Sequence, residues 1–308
     1  MKLKVEAGSR IHLGFIDPIG VLGRRWGSVG LYLNEPKLSL TISKCNDIIV
    51  DGPRWLKDLA ENIVKRLGID GLMIECSNHI PRHVGLGSGT QTILSIGLAV
   101  SKIYKLDLTL RDIALMFNRC RKSGAGFWLF QVGGIVIDGG NTSEEEIPPL
   151  LARFDLPEEW MILLAIPLNE GLGLHGRIEE EKFKMLNAAD PKEASLIILM
   201  KLLPSIVQRN FERFSEAVEE LDLVTSRFFE TAQSGRYFKS SSKVVEFLKN
   251  IGVRGVGQSS WGPTIYGFLE SSEVEEVGKK LKNIEGFRFI FTTPRNKGAE
   301  ISQLQSSF

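Results

Sequence analysis

The sequence predicts a two-domain α+β fold, and three observations support this prediction. The chain has 308 residues, which corresponds to about two domains at roughly 150 residues each. It contains runs in which polar and apolar residues alternate, as in strands, and segments with the apolar spacing of helices. These segments follow one another without regular βα alternation, which favours α+β over a doubly wound sheet. We place the domains at residues 1–160 and 161–308.

Local patterns predict the elements of the first half of the chain. Alternation predicts a half-buried strand at 37–42, and helical spacing predicts a helix at 55–67 that ends at Gly68. Thr109, with Asp112 three residues later, is a plausible N-cap for a helix that ends near Arg119. The other elements expected here are strands at 2–7, 72–76 and 134–137, and a helix at Ser88–Tyr104.

The second half begins after the strongest breaker stretch of the chain. Residues 139–149 contain Gly-Gly, three consecutive glutamates and Pro-Pro, which we interpret as an exposed loop rather than an interdomain linker. The short apolar run at 161–166 predicts a central strand. The remaining expected elements are helical structure at 191–229, a strand at 264–269, a helix at 273–283 and a strand at Phe287–Thr292.

Charge and composition exclude several classes of protein. Lys+Arg is 38 and Asp+Glu is 37, a net charge of +1, whereas nucleic-acid binders usually carry a basic excess. No apolar run approaches the ~20 residues of a membrane span, and no secretory signal follows the initial methionine. The three cysteines are widely spaced, which excludes a disulfide framework and a Cys-rich zinc site. We therefore expect a cytoplasmic protein without nucleic-acid or membrane partners.

A glycine-rich segment between a predicted strand and a predicted helix is the strongest functional signal. Residues 80–91 have the sequence IPRHVGLGSGTQ. Glycine lets the backbone approach a ligand, and the free N–H groups at a helix start attract anions. The segment lacks the lysine of a P-loop and the glycine spacing of a Rossmann fingerprint. The segment predicts a phosphate-binding loop, and the alternative is a glycine-rich helix cap without a ligand. The residues of the predicted loop are Gly85, Leu86, Gly87, Ser88, Gly89, Thr90 and Gln91.

Two further glycine clusters carry weaker signals. Residues 171–176 (GLGLHG) match GxGxxG, but no βαβ unit surrounds the match, so we expect a mobile loop near the site rather than a dinucleotide site. Residues 252–262 (GVRGVGQSSWG) precede a predicted strand. They form either a simple turn or a segment that brings backbone of the second domain towards the first glycine loop.

Several segments together resemble the GHMP kinase superfamily, and in particular its β-ribofuranosylaminobenzene 5'-phosphate synthase branch. The loop at 81–91 is similar to the superfamily's PxxxGLGSSA loop, and the other matching segments are SRIHLGFID at 9–17, GSVG at 27–30, RKSGAG at 121–126, GG at 133–134 and DGG at 138–140. The resemblance implies the superfamily's two-domain α+β fold. The N-terminal domain would be ribosomal-S5-domain-2-like and the C-terminal domain ferredoxin-like.

The resemblance also implies a reaction. In this archaeal branch, phosphoribosyl diphosphate reacts with a 4-substituted benzoate and releases diphosphate and carbon dioxide, in the synthesis of methanopterin-type coenzymes. Gly126 stands where superfamily kinases with a carboxylate base have Asp, and Gly89 replaces a serine that often lies near magnesium. Because phosphoryl transfer depends mainly on positioning and charge neutralisation, these differences weaken the kinase interpretation without excluding it.

The implied reaction assigns roles to residues of the matching segments. Loss of diphosphate leaves positive charge on the sugar, so the leaving group needs N–H donors and Mg²⁺. The sequence does not identify the residues that would bind the Mg²⁺. The glycine loop, with Ser123 and Gly124, would bind phosphate. The benzoate carboxylate needs a cation, and an aromatic ring can stack on the benzoate. We take the substrate-binding candidates to be Arg24, Arg25, Trp26, Arg121 and Lys122, and the catalytic candidates to be Arg10, His12 and Asp17.

Alternatives stay open at several of these points. His12 fits a half-buried structural histidine as well as a proton-transfer group, and Asp138, which precedes two glycines, is more typical of a turn. An ATP- and Mg²⁺-dependent small-molecule kinase and a non-catalytic phosphate or nucleotide sensor are the other functions. The substrate is 4-aminobenzoate or 4-hydroxybenzoate. Tyr237 and Phe238, expected at the surface, leave room for a homodimer.

Overall fold

Two β-sheets organise the chain in the computed structural model, which describes residues 1–143, 145–168, 191–233, 235–238 and 241–305. The strands are β1 Lys2–Asp17, β2 Trp26–Lys44, β3 Ile48–Asp51, β4 Leu72–Asn78, β5 Ile135–Asp138, β6 Leu150–Phe154, β7 Trp160–Pro167, β8 Arg254–Gln258, β9 Ile265–Glu270, β10 Phe287–Thr292 and β11 Glu300–Leu304. The first sheet has the order β11-β1-β2-β4-β3, with β5 paired to β2 and β6 to β5. The second sheet has the order β10-β7-β9-β8.

Nine helices and one π-helical segment are found in the described ranges. The α-helices are α1 Arg54–Leu67, α2 Ser88–Tyr104, α3 Leu110–Met116, α4 Ala125–Val132, α5 Pro191–Ile197, α6 Leu203–Val207, α7 Phe211–Gln233, α8 Ser242–Asn250 and α9 Val274–Leu281. The π-helical segment Ile198–Leu202 joins α5 to α6. The mixture of two antiparallel-rich sheets and segregated helices is the α+β arrangement that the sequence predicts.

Local sequence signals account well for the first helices. The helix α2 has the predicted bounds, and α1 ends at Gly68, which adopts a left-handed φ of 63° and donates its N–H to Val64 O. Thr109 and Asp112 form the predicted capping box of α3. That helix ends at Met116 rather than near Arg119.

Six elements have no counterpart among the sequence predictions, namely helices α4 and α8 and strands β3, β6, β8 and β11. Helix α4 is short and apolar on nearly all sides, so it lacks an amphipathic period. Strands β6 and β11 are also absent from the predictions, and β11 is mostly polar. Strand β11 pairs antiparallel with β1, so residues 300–304 belong to the first sheet and not to the second domain as we had divided the chain. This pairing covers the outer edge of β1.

The long strands β1 and β2 carry the structure that positions the site. They pair as an antiparallel hairpin, and β2 pairs with β5 through its first half and with β4 through its second half. Helix α2 packs on both strands and on α3 and α4. Its buried residues include Ile93, Leu94 and Ile96, so the helix that follows the glycine loop is anchored in the main core.

The third glycine cluster joins the second sheet to the glycine loop. The N–H of Thr264 donates to Val84 O at 3.3 Å, and the Ser259 hydroxyl donates to Gly85 O at 2.7 Å. A Cβ on Gly262 would overlap the backbone of Gly85. Of the two interpretations of residues 252–262, the structure therefore supports the one in which this backbone approaches the first loop.

Other expectations have mixed outcomes. Residues 139–149 connect β5 to β6 within one sheet, so they form a loop and not an interdomain linker. Tyr237 and Phe238 are half-buried, contrary to expectation, because the Tyr237 hydroxyl donates to Asp222 and the Phe238 N–H donates to Gln258. The GLGLHG segment at 171–176 lies outside the described residues. Among the helices that the structure describes, none has the length and apolar character of a bilayer span.

Candidate functional site

The glycine loop presents the start of α2 without a capping side chain. Gly85 and Gly87 have left-handed φ values of 89° and 76°, and Gly87 is the N-cap of α2. Because the N-cap is glycine, it has no side chain that could satisfy the first N–H groups of the helix. These N–H groups and the helix dipole favour an anion at this position. The geometry agrees with the phosphate-binding prediction for this segment.

Arg10 holds the loop from strand β1. Its backbone N–H donates to Leu86 O at 3.0 Å, and its guanidinium Nη1 donates to Gly85 O at 2.9 Å. A Cβ on Gly87 would lie 2.8 Å from Arg10 Cγ. Leu86 itself is buried, with 1% of its surface exposed. Arg10 thus lies directly against the loop and adds positive charge to the anion site.

His12 is buried and uncharged near neutral pH. Only 2% of its surface is exposed, and its ring packs against Phe15 with 4.4 Å between centroids. Burial, with a smaller effect of the Arg10 charge, lowers the pKa of His12 to about 3. A base with so low a pKa accepts a proton poorly at neutral pH. The structure therefore favours the alternative of a structural strand histidine.

The side chains of Asp17 and Arg24 make hydrogen bonds that hold the loop connecting β1 to β2. The Asp17 carboxylate accepts N–H groups from Ile19, Gly20 and Val21 at 2.7–3.2 Å, as a turn-forming aspartate does. The Arg24 Nε and Nη2 donate to the carbonyls of two glycines of the β5–β6 loop, both at 2.9 Å. These hydrogen bonds give both residues a structural role in the loop.

Two cations lie close to the indole ring of Trp26, at the start of β2. The Arg25 Cζ lies 5.1 Å and the Lys122 Nζ 5.7 Å from the centroid of Trp26, which is buried to all but 6% of its surface. The Arg25 Nε donates to Pro18 O at 3.2 Å. We call Arg25, Trp26 and Lys122 the cation–indole cluster. Of the five predicted substrate-binding residues, the structure brings these three together, whereas the Arg121 carbonyl accepts the Asn141 side-chain amide.

A buried carboxylate network, which sequence reasoning missed, lies beside this cluster. Asp138 is fully buried and accepts the Ser28 hydroxyl and the N–H groups of Gly124 and Gly140, the last two at 3.0 Å. The Ser28 and Ser123 hydroxyl oxygens are 2.6 Å apart. Burial, opposed by these hydrogen bonds, raises the pKa of Asp138 to about 6. An aspartate at a strand end before two glycines was the available signal, and the bond from the Gly140 N–H agrees with the turn that we inferred from it. The bonds to Ser28 and Gly124 and the burial were not predicted.

Residues of the first turn of α2 face two different parts of the structure. Gly89 faces the Arg119 guanidinium, since a Cβ on Gly89 would lie 3.7 Å from its nitrogens. Thr90 faces the start of α4, since its Cγ2 would lie 3.2 Å from a Cβ on Gly126. The Gln91 side chain is buried and bonds to Tyr32 and to the carbonyl of Gly126. Gln91 therefore belongs to the core and does not contribute a phosphate contact through its side chain.

Known proteins share both the sequence and the fold. The family models for the GHMP kinases N terminal domain and the GHMP kinases C terminal match residues 54–127 and 202–285. A beta-ribofuranosylphenol 5'-phosphate synthase of Archaeoglobus fulgidus is 32% identical over 97% of this chain and 99% of its own length. The chain belongs to this synthase branch of the GHMP kinase superfamily. The family prediction is confirmed, with phenol in place of aminobenzene in the relative's name.

Solved structures confirm the two-domain fold of this superfamily. A putative homoserine kinase from Listeria monocytogenes superposes with a TM-score of 0.65 at 16% identity, covering 98% of this chain and 100% of the other. A structure described as MDDEF in complex with MVAPP, AMPPCP and magnesium superposes with a TM-score of 0.62 at 14% identity, covering 99% of each chain. At such identities the likeness concerns the fold alone.

Substitution of Gly87 by valine tests the anion site. We expect Gly87→Val to weaken binding of inorganic diphosphate at least about tenfold, because a β-branched residue is strained at positive φ and would displace Arg10. Isothermal titration calorimetry measures the affinity, and circular dichroism checks the fold. Gly68→Val is the matched control, since Gly68 has a similar φ of 63° and nothing within 4 Å of its Cβ position. Unchanged diphosphate affinity in Gly87→Val would contradict the site.

Burial of Asp138 predicts a pH-dependent contribution to stability. Its native pKa of about 6 exceeds the ordinary 3.8, so its contribution is fully present below the ordinary value and is lost as the pH rises through the native value. The free-energy difference between wild type and Asp138→Asn should therefore shrink from about pH 4 to about pH 7, by on the order of 3 kcal/mol at ~1.4 kcal/mol per pKa unit. Denaturant unfolding across this range measures it. Ser28→Ala, which keeps the carboxylate, should keep the pH dependence, and a constant difference for Asp138→Asn would contradict the prediction.

Proposed function

We propose that this chain is a pentosyltransferase that joins phosphoribosyl diphosphate to 4-hydroxybenzoate in methanopterin biosynthesis, with release of diphosphate and carbon dioxide. The observation that carries the proposal is an uncapped phosphate loop at the start of α2, whose Thr90 faces the start of α4, where a catalytic carboxylate is lacking and where Lys122 of the cation–indole cluster precedes Ser123. Gly126 occupies the place of the kinases' Asp, and the relative named above is a synthase and not a kinase.

The reaction forms one carbon–carbon bond and breaks two bonds. The ring carbon that carries the carboxylate attacks the first carbon of the sugar, and diphosphate leaves with the electron pair of its C–O bond. Carbon dioxide then leaves, and the electron pair of its C–C bond restores the aromatic ring. The enzyme must therefore hold the leaving diphosphate, stabilise positive charge on the sugar and orient the ring.

The described residues divide these tasks between them. The N–H groups at the start of α2, together with Arg10, would hold the diphosphate. Arg25 and Lys122 would hold the benzoate carboxylate while Trp26 packs against the ring. The Asp138 network fixes the start of α4, because the carboxylate accepts the Gly124 N–H and Ser28 links it to the Ser123 hydroxyl. The Ser123 hydroxyl would be the group of this network that contacts a substrate, since the Gly124 N–H is bonded to Asp138.

The site fits a magnesium ion that binds together with the diphosphate. In the described part of the chain, no group of three or more His, Cys, Asp or Glu residues could cage a metal ion. Both oxygens of Asp138 already accept hydrogen bonds. Mg²⁺ commonly binds through substrate phosphates, with few protein ligands, and the Ser88 and Thr90 hydroxyls are the loop groups that would face it. When bound, Mg²⁺ neutralises charge on the leaving diphosphate.

A substrate-dependence assay tests the proposed function. We expect the protein, incubated with Mg²⁺, phosphoribosyl diphosphate and 4-hydroxybenzoate, to release carbon dioxide and diphosphate only when both substrates are present. Parallel reactions with 4-aminobenzoate establish which ring is preferred, and mass spectrometry identifies the ribosylated product. ATP hydrolysis stimulated by a small alcohol, without carbon dioxide release, would instead indicate a kinase. Binding of phosphoribosyl diphosphate or ATP without turnover of either would indicate a sensor.

Substitution of Arg25 tests the position of the benzoate. We expect Arg25→Ala to raise the KM for the benzoate about tenfold to a hundredfold, and the KM for phosphoribosyl diphosphate much less. The reason is that a charge-assisted hydrogen bond to a carboxylate contributes ~1.5–3 kcal/mol, whereas a solvated arginine contributes under ~1 kcal/mol. Steady-state kinetics with each substrate varied in turn measures the effect.

Arg24→Ala is the matched control for Arg25→Ala. Arg24 is the neighbouring arginine, but its guanidinium bonds to backbone carbonyls of the β5–β6 loop, so its loss should change kcat or stability rather than the KM of the benzoate alone. An equal rise of both KM values in Arg25→Ala would place Arg25 on the phosphates. No change in either would contradict a direct role for it.

A further inference from the structure

An open cavity adjoins the glycine loop on the side of α2 that carries Gly89 and Ile93. Its volume is about 390 Å³. Ile93 lies in its wall one helical turn after Gly89, and residues four apart share a helix face. Thr90, by contrast, faces Gly126 and the start of α4. A ligand at the start of α2 would therefore lie between this cavity and the cation–indole cluster.

The charge of the cavity is positive. Its wall includes Arg66, Arg82 and Arg119, with Asp58 as the one acidic residue, so the formal charge of these side chains is +2. The guanidinium of Arg82 lies 4.7 Å from the Trp55 ring centroid, and that of Arg66 lies 5.4 Å from the Phe117 ring centroid. Stacking on aromatic rings holds guanidinium groups in place, and the Arg66 Nη1 also donates to Met116 O. Such a wall suits an anion better than an uncharged ring or sugar.

The order of groups along the site decides which anion this is. The relative's product is a β-ribofuranosyl compound, whereas phosphoribosyl diphosphate is α-linked, so the ring must enter opposite the leaving diphosphate. If the ring lies at the cation–indole cluster, the diphosphate points away from it. Within the diphosphate, the phosphate attached to the first carbon of the sugar then lies at the start of α2. The terminal phosphate of the diphosphate extends beyond it into the cavity.

We propose that the cavity lined by Arg66, Arg82 and Arg119 is the subsite for the terminal phosphate of the diphosphate leaving group. This inference rests on the proposed function for the identity of the donor, but the cavity's affinity for diphosphate can be measured without turnover. The subsite stabilises charge that develops as the C–O bond breaks. It also provides a product site for free diphosphate.

Calorimetric titration of inorganic diphosphate against three variants, with Mg²⁺ in constant excess, tests the subsite. Arg82→Met keeps an unbranched aliphatic side chain of similar length and removes the charge, and we expect it to weaken diphosphate binding about tenfold. Arg82→Lys should recover most of that loss. Asp58→Asn removes the opposing charge and should strengthen binding several-fold. Arg54→Met is the control, because Arg54 is exposed on α1 and does not line the cavity.

Ribose 5-phosphate distinguishes the two ends of the donor. Its affinity should stay within about twofold of wild type in Arg82→Met, since the proposed subsite takes no part in binding the sugar phosphate. The proposal is overturned if Arg82→Met weakens ribose 5-phosphate instead of diphosphate, or if both Arg82→Met and Asp58→Asn bind diphosphate as wild type does. Carbon dioxide release by wild type is measured separately, so turnover with unchanged diphosphate affinities would refute the subsite and leave the proposed function intact.

Discussion

The anion site depends on the hydrogen bonds that hold the carbonyl groups of the glycine loop, which leave the N–H groups at the start of α2 facing outward. Arg10 donates to the carbonyls of Gly85 and Leu86. Ser259 and Thr264, in the connection between β8 and β9 of the second sheet, donate to the carbonyls of Gly85 and Val84. The backbone of Gly262 packs so closely on Gly85 that neither position accepts a side chain. Because both sheets hold the loop, the anion site requires the two halves of the chain to be folded together.

Electrostatics then divides the site into charged and neutral regions. Burial keeps His12 uncharged, and it raises the pKa of the Asp138 carboxyl to about 6, so this carboxyl is mostly ionised at neutral pH. Its oxygens accept hydrogen bonds from Ser28, Gly124 and Gly140. Cations are found in the cation–indole cluster and in the arginine-lined cavity. These cations favour a polyanionic leaving group and an anionic ring.

Absence of the kinases' carboxylate is consistent with this division. A carboxylate at residue 126 would lie close to Thr90 and to the Cys120 sulfur, at the start of α4. A kinase uses an acid there to activate an alcohol, but the ring carbon proposed as nucleophile has no proton to lose. Gly126 instead leaves space between the phosphate loop and the benzoate. The same fold thereby serves a different reaction through a few residues of one helix start.

Local sequence determined the elements whose signals are local. The bounds of α2, the capping box of Thr109 and the left-handed Gly68 follow from neighbours a few residues away. The glycine loop and the pairing of Arg25 with Trp26 were also predictable, since adjacent residues define them. Only the tertiary structure decided the rest, because it depends on residues far apart in the chain. Asp138 makes the predicted turn bond to the Gly140 N–H, but its burial and its bonds to Ser28 and Gly124 come from tertiary contacts. The cavity arginines come together from α1, the loop and the segment after α3.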